Sequence, residues 1–395
     1  VERLRARWAV QARRVQVRLW DVGSNGDLDP TTNWTNIGVN SGEPPRLSCR
    51  PTRKSSLPLL RTDFDLRPTT FIDPALADLL ISNLEASGPA DTAQSCIVTT
   101  NTVHTNDLSQ APGFIFLDVT ESGVTAGDVL RPNTIAEGPV DVAFGGFRRY
   151  LAVGKVPSDS ASSHQIIVYR GEVGSAPGSL IVADATLGGT HTEPRVSYHE
   201  TSGVFVAAWP QRDARVRLST FDLLGNLVDT VLLDVRSIVP VEIACDSHLP
   251  GARDECHVYV QRNGTDASAA SGAFSTYRVR IGNGANGLDN GRLNNALNQF
   301  APVAVTDSTE RSALLADAAT YGNQSLDGQL TGAAWFLSED QLRTAGNNEI
   351  TMLMDSDGRF DPADISSDAT NTVDNQTNTS SWDWNEAAAR FVSVR

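Results

Sequence analysis

The chain has 395 residues, 40% hydrophobic and 20% charged, and a formal net charge of −15. These proportions are those of a folded globular protein and exclude wholesale disorder. The acidic balance argues against nucleic acid or an anionic membrane surface as the main partner, and no apolar run approaches the roughly 20 residues that span a bilayer, so membrane insertion is not expected.

The chain opens at Val1, and its first residues carry no apolar stretch of a signal peptide, so the sequence is expected to be mature, processed or partial. Leu4 to Val10 reads as a strand. Val17-Arg-Leu-Trp-Asp-Val-Gly-Ser-Asn-Gly-Asp-Leu28 reads as a hairpin, with Asn25-Gly26 supplying the positive φ of a tight turn. It aligns without gaps to Val216-Arg-Leu through Leu227. Val279 to Leu288 is a third copy and Ile350 to Phe360 a fourth, with looser copies at Phe114 to Val124 and Ile166 to Ser175.

A second motif alternates with the first. Pro45-Arg-Leu-Ser-Cys49, Pro139-Val-Asp-Val-Ala-Phe144, Pro194-Arg-Val-Ser-Tyr198, Pro240-Val-Glu-Ile-Ala-Cys245 and Pro302-Val-Ala-Val305 each begin with a Pro, which is tolerated at the first residue of a strand. Ser381-Trp-Asp-Trp384 has the alternation without the Pro. Each is followed by an apolar strand, at Cys96, Tyr150, Val204, Cys256, Ala334 and Phe391 respectively. Two hairpins per unit make a four-stranded antiparallel sheet, with strands A to D counted from the Pro-marked one. Pro194 and Pro240 stand 46 residues apart, within the roughly 40–50 of a propeller blade.

The expected fold is therefore all-β: a six-bladed β-propeller of four-stranded antiparallel blades, closed by N- and C-terminal strands that share one blade. A β-sandwich is the alternative. The expected blades are residues 45–135 with an insertion at 50–95, 139–187, 194–235, 240–297 and 301–370, the sixth combining 1–38 with 380–395.

The first insertion should hold a helix, capped by Asp73 with Pro74 at its first position and ended by Gly88-Pro89. Leu76, Leu79, Leu80 and Leu84 would form its apolar stripe. Further A–B insertions are expected between Cys245 and Cys256 and from about Asp307 to Thr331, all on one face. Cys49 and Cys96, and Cys245 and Cys256, fall at matching ends of adjacent strands, so two disulfides are expected, in an oxidising compartment.

The unit that is clearest from Pro194 to Leu233 resembles the blade repeat of secreted bacterial β-propeller proteins. Arg-rich basic usage, with Lys54 and Lys155 the only lysines, agrees with a bacterial origin. The resemblance implies an extracellular or cell-envelope binding or scaffold module that meets a protein partner, a larger assembly or a glycan. It brings no catalytic residues.

A few motifs carry candidate chemistry. Asp355, Asp357 and Asp361 around Gly358 resemble the calcium turns of integrin-type propellers, with Leu353 where the first ligand should stand. Asp21, Asn25 and Asp29 form a second partial match. A plain β-turn is the preferred reading of both, and no other cofactor is expected. The six histidines are scattered, with His191-Thr-Glu193 the one metal-like pair, and no hydrolase or nucleotide-binding motif occurs. Trp8, Trp20, Trp209, Trp335 and Trp382 read as packing residues. Sequons at Asn33, Asn263, Asn323, Asn375 and Asn378 matter only in a glycosylating host. The alternative function is a carbohydrate-active propeller enzyme that uses carboxylates from separate blades at the mouth of the central channel.

Overall fold

The computed structural model describes residues 13–22, 28–41, 45–50, 94–103, 110–120, 122–134, 136–146, 148–157, 164–187, 193–199, 202–211, 215–236, 241–245, 255–261, 381–385 and 390–394, together with the strand backbones between 274 and 368. Every element among them is a β-strand. No helix among the described residues is long and apolar enough to cross a membrane.

The strands form six antiparallel sheets. Sheet I holds β4 (Arg46–Cys49), β5 (Cys96–Val103), β6 (Gln110–Thr120) and β7 (Gly123–Leu130), in that order. Sheet II holds β8 (Glu137–Phe144), β9 (Arg149–Pro157), β10 (His164–Glu172) and β11 (Gly178–Leu187). Sheet III holds β12 (Arg195–His199), β13 (Val204–Pro210), β14 (Arg215–Phe221) and β15 (Leu227–Arg236). Sheet IV holds β16 (Glu242–Cys245), β17 (Glu255–Gln261), β18 (Phe274–Ile281) and β19 (Leu293–Gln299), and sheet V holds β20 (Ala313–Gly322), β21 (Thr331–Glu339), β22 (Glu349–Met354) and β23 (Phe360–Asp368).

Sheet VI joins distant parts of the chain. β24 (Ser381–Asn385) pairs with β25 (Arg390–Val394), and β25 pairs with β1 (Arg13–Val22) in the register Val17↔Val394 to Trp20↔Phe391. β2 (Leu28–Pro30) and β3 (Thr35–Ser41) both pair with β1 and together make one interrupted outer strand. The sequence TNIGVNS has little β signature, which is why β3 was not anticipated. Its pairing is secured locally: Thr31 donates its N–H to the Leu19 carbonyl, and Thr32 Oγ1 accepts from Leu19 N.

The first strand of each sheet touches that of the next: β4 with β8, β8 with β12, β12 with β16, β16 with β20, β20 with β24, and β24 with β4. Among the described residues, apolar side chains fill the spaces between sheets VI and I, I and II, II and III, and III and IV. β13 shows how, since all seven residues of VFVAAWP are buried. Val204, Val206 and Ala208 pack with Ile243, Cys245 and Val258 of sheet IV. Phe205, Ala207 and Trp209 pack with Leu151, Val153, Ile166 and Val168 of sheet II. A strand with period-2 side chains and a sheet on each face reads as a continuous apolar run. Equivalent clusters join sheet VI to sheet I and sheet I to sheet II. Truncating a side chain such as Phe205 in this setting costs about 3–5 kcal/mol.

One expected strand is corrected. Pro302–Val305 lies outside the described residues, and the strand that pairs with β21 is Ala313–Gly322, with Ala318 opposite Trp335. The supposed insertion at Asp307–Thr331 therefore contains a strand, and residues 323–330 alone connect it to β21. Four alanines dilute the apolar alternation of ALLADAATYG, and no Pro marks its start. The expected helix at 73–88, with its leucine stripe, and the strand at Leu4–Val10 lie outside the described residues.

Candidate functional site

The first strands carry polar side chains at positions where strands buried on both faces normally carry apolar ones. Arg46, Asp141 and Glu242 each stand three residues before the residue that closes the register with the second strand, Cys49, Phe144 and Cys245, and Arg195 stands four residues before the corresponding His199. All four are at most 9% exposed. Ser381 of β24 stands, like Arg195, four residues before the closing residue of its strand, Asn385.

Some of these side chains bond to the backbone of the next sheet. Asp141 Oδ2 accepts from Val196 N at 2.7 Å, and Ser381 Oγ accepts from Leu47 N at 3.0 Å. Two residues further on the pattern repeats one step along: Ser48 Oγ accepts from Phe144 N, Ser197 Oγ from Cys245 N, both at 3.0 Å, and Asp383 Oδ2 from Cys49 N at 2.6 Å. Adjacent first strands are thus linked by side chain to backbone bonds where ladder bonds are not formed. The Ser of Pro-Arg-x-Ser and the Asp of Pro-Val-Asp are explained by these bonds.

Charges complete the arrangement at the start of the strands. Arg195 Nε lies 2.5 Å from Glu242 Oε1, and its Nη1 lies 3.0 Å from Glu193 Oε2. Arg46 Nη2 reaches the same Glu193 oxygen at 3.3 Å. Glu193 precedes β12 of sheet III and Arg46 belongs to sheet I, so this contact passes over sheet II. Lys155, at the far end of β9 and 7% exposed, adds a third cation to the field on Glu193, and Asp141 a third anion to the field on Arg195. Three buried cations therefore balance three carboxylates.

The electrostatics follow. Burial alone would raise the Glu193 carboxyl, but the Arg195 and Arg46 guanidiniums, the Arg195 hydrogen bond and the Lys155 ammonium together hold it below its ordinary value. Burial would lower Arg195, and Glu242, Glu193 and Asp141 more than reverse that, so its charge is fixed. A carboxyl held ionised between two guanidiniums cannot supply a proton near neutral pH, which is what a general acid must do. Asp141 and Glu242 spend acceptor capacity on Val196 N–H and on Arg195. The chemistry of the cluster is mutual neutralisation.

The opposite ends of the same strands carry the cysteines. Cys49 is bonded to Cys96 and Cys245 to Cys256, with Cα–Cα distances of 3.9 and 4.1 Å. Each pair sits opposite in register, so each bridge closes the base of an A–B connection.

Of the calcium candidates, Asp355, Asp357 and Asn25 lie outside the described residues, and Asp21, Asp29 and Asp361 lie on β1, β2 and β23 with backbone alone described. Among the described residues no group of three His, Cys, Asp or Glu could hold a metal ion. Trp20 and Trp209 are fully buried, as packing residues should be. Glu193 of the His191–Glu193 pair is drawn into the ion cluster, whereas His191 lies outside the described residues.

Sequence reasoning missed this cluster. Its signal was a charged residue one or two places after Pro45, Pro139, Pro194 and Pro240, in strands otherwise largely apolar. No protein-family model matches the chain, and no curated protein matches it. Among solved structures it is similar to the SapL1 lectin in complex with alpha methyl fucoside (9% identity, TM-score 0.42, 75% of this chain and 82% of that one). It is also similar to an α-L-arabinofuranosidase from Fusarium graminearum (11%, 0.43, 76% and 89%). An exo-β-1,3-galactanase from Phanerochaete chrysosporium is a third (11%, 0.38, 78% and 67%). Likenesses this loose carry nothing from those proteins' sites to this one.

Proposed function

We propose that the six sheets are the blades of a closed β-propeller and that the protein is a non-catalytic binding module of the extracellular space or cell envelope, holding a protein or glycan partner. Contacts from each first strand to the next, and from β24 back to β4, support the closed ring, as does the sharing of sheet VI by β1 and β25. Two disulfides support an oxidising compartment.

The observation that carries the non-catalytic reading is the ion cluster. A propeller enzyme would need reactive carboxylates where the first strands begin, and the three described there are committed to arginine, lysine and backbone partners. Binding then falls to the other face, where the disulfide-based connections 51–93 and 246–254 leave the sheets.

The test is to replace residues 51–93 with a short turn and, separately, to make Glu193→Gln, then assay both against a panel of immobilised glycans and envelope proteins. Binding should be lost in the first variant and kept in the second, with no sugar released by either or by the parent. Turnover of a glycan by the parent, abolished by Glu193→Gln, would establish the enzyme instead.

A further inference from the structure

Two residues other than glycine have left-handed backbones among the described residues, Gln94 at φ 52° and Arg148 at φ 57°. They belong to different sheets, 54 positions apart, and they touch: Arg148 Nη2 donates to Gln94 Oε1 at 3.2 Å. Long side chains rarely adopt this conformation, and such residues persist where the surrounding structure imposes them, most often at functional sites.

The surroundings do impose it. Arg148 is the third residue of a turn in which Arg149 N bonds to the Gly146 carbonyl and Gly145 N to the Arg149 carbonyl. A positive φ at that place ordinarily selects Gly or Asn. The turn is held from outside as well. Arg148 O accepts from Val173 N, and a Cβ on Gly145 would come within 2.5 Å of the Phe205 ring of sheet III. Gln94 is held by its own N–H, which donates to the Asp118 carboxylate. It stands two residues before Cys96, at the foot of the 51–93 connection.

The strained backbone therefore aims an exposed guanidinium and an amide at one spot on the face that bears the A–B connections. Among the described residues the only side-chain partner of Arg148 is this neutral amide, so its charge is not spent on a carboxylate of those residues. Arg149, next to it, is already paired with Glu172 at 3.5 Å. Among the described residues Gln94, Arg149, Glu172 and Ser175 stand around this spot, and all four are polar. A fork of N–H donors beside an amide fits a carboxylate flanked by hydroxyls.

We propose that Gln94 and Arg148 form a recognition point for the carboxylate of an acidic glycan, a polymer bearing uronic acids. This rests on the binding-module reading and narrows it to one ligand class. Arg148 is kept at a glycine position because its side chain binds, so the glycine variant should separate binding from stability.

The experiment compares the parent protein with Arg148→Gly and Arg148→Lys, using galacturonate oligomers and neutral galactose oligomers of equal length in calorimetry, with thermal melting alongside. The parent should bind the acidic oligomer and not the neutral one. Arg148→Gly should lose at least tenfold in affinity while melting no lower than the parent, and Arg148→Lys, which keeps the charge without the fork, should fall between. Parent-like binding by Arg148→Gly, a clear fall in its melting temperature, or equal binding of neutral oligomers overturns the proposal. Binding by the parent to an acidic protein and to no oligomer also overturns it and leaves the binding-module reading standing. Cleavage of the oligomers by the parent overturns that reading instead.

Discussion

The two ends of the first strands are held by different means. Where the strands begin, Arg46, Asp141, Glu193, Arg195 and Glu242 tie one sheet to another. Where β4 and β16 end, Cys49–Cys96 and Cys245–Cys256 tie strands within one sheet. Sheets are linked there by uncharged or backbone-directed side chains, Ser48, Ser197, Asp383 and Asn385 among them. One end thus fixes how the sheets sit together, and the other fixes the roots of the connections that leave them. An end built for mutual neutralisation is a poor place for chemistry, and an end with stapled roots can carry long connections without loosening the strands beneath.

The largest expected effect comes from breaking the charged end. Arg195→Met leaves Glu242 and Glu193 short of a buried cation, and removing one partner of such a pair costs about 3–5 kcal/mol. Urea unfolding would measure it. Adding Glu242→Leu to Arg195→Met should recover part of the loss, because a buried pair replaced by apolar residues is far less costly than a broken one. No recovery would mean that Arg195 acts chiefly through Glu193.

At the other end, replacing both cysteines of a bridge by alanine should cost roughly 2–4 kcal/mol. The Cys49–Cys96 bridge spans 47 residues and the Cys245–Cys256 bridge 11. Loop-closure entropy makes the first about 1 kcal/mol more valuable. Equal losses would show that the long connection is already constrained in the unfolded chain. Between the two ends lie the serine links. Ser48→Ala leaves Phe144 N–H buried and unpaired, and Ser197→Ala does the same to Cys245 N–H, each at about 1–2 kcal/mol. The two variants should add when combined, since they lie at different sheet junctions.

These contrasts also explain what the sequence revealed. The disulfide end was legible because Cys49, Cys96, Cys245 and Cys256 fall at the ends of strands whose alternation is plain. The antiparallel four-stranded sheets were legible from Pro-marked strands and Gly-containing turns. The charged end was not, since Arg46, Asp141, Arg195 and Glu242 look individually like surface residues. That they are buried and alternate in sign appears only once separate sheets meet. The first strand of sheet V was misplaced because its alanines blur the period. Nothing in FRRY marks Arg148 as left-handed either, for a side chain kept against backbone preference leaves no pattern in a single sequence.

The smallest expected effect is the pH dependence of the charged end, and it sharpens the same comparison. Glu193 is 20% exposed on its side chain, so water screens it more than Arg195 or Glu242. Its carboxyl is held below the ordinary value in the folded protein, while in the unfolded chain it returns to about 4.3. Its contribution to stability is therefore fully present above that unfolded value and is lost as pH falls through the lower folded one. Unfolding free energies of the parent and Glu193→Gln, measured by urea from pH 8 down to pH 3, should differ by a constant amount from pH 8 to about pH 5. The gap should then narrow as the medium becomes more acid. The disulfide variants should show no such convergence, because a bonded cysteine does not titrate. A gap between parent and Glu193→Gln that stays constant down to pH 3 would mean that Arg46 and Arg195 do not favour the ionised carboxyl, and the cluster could then no longer be described as mutual neutralisation.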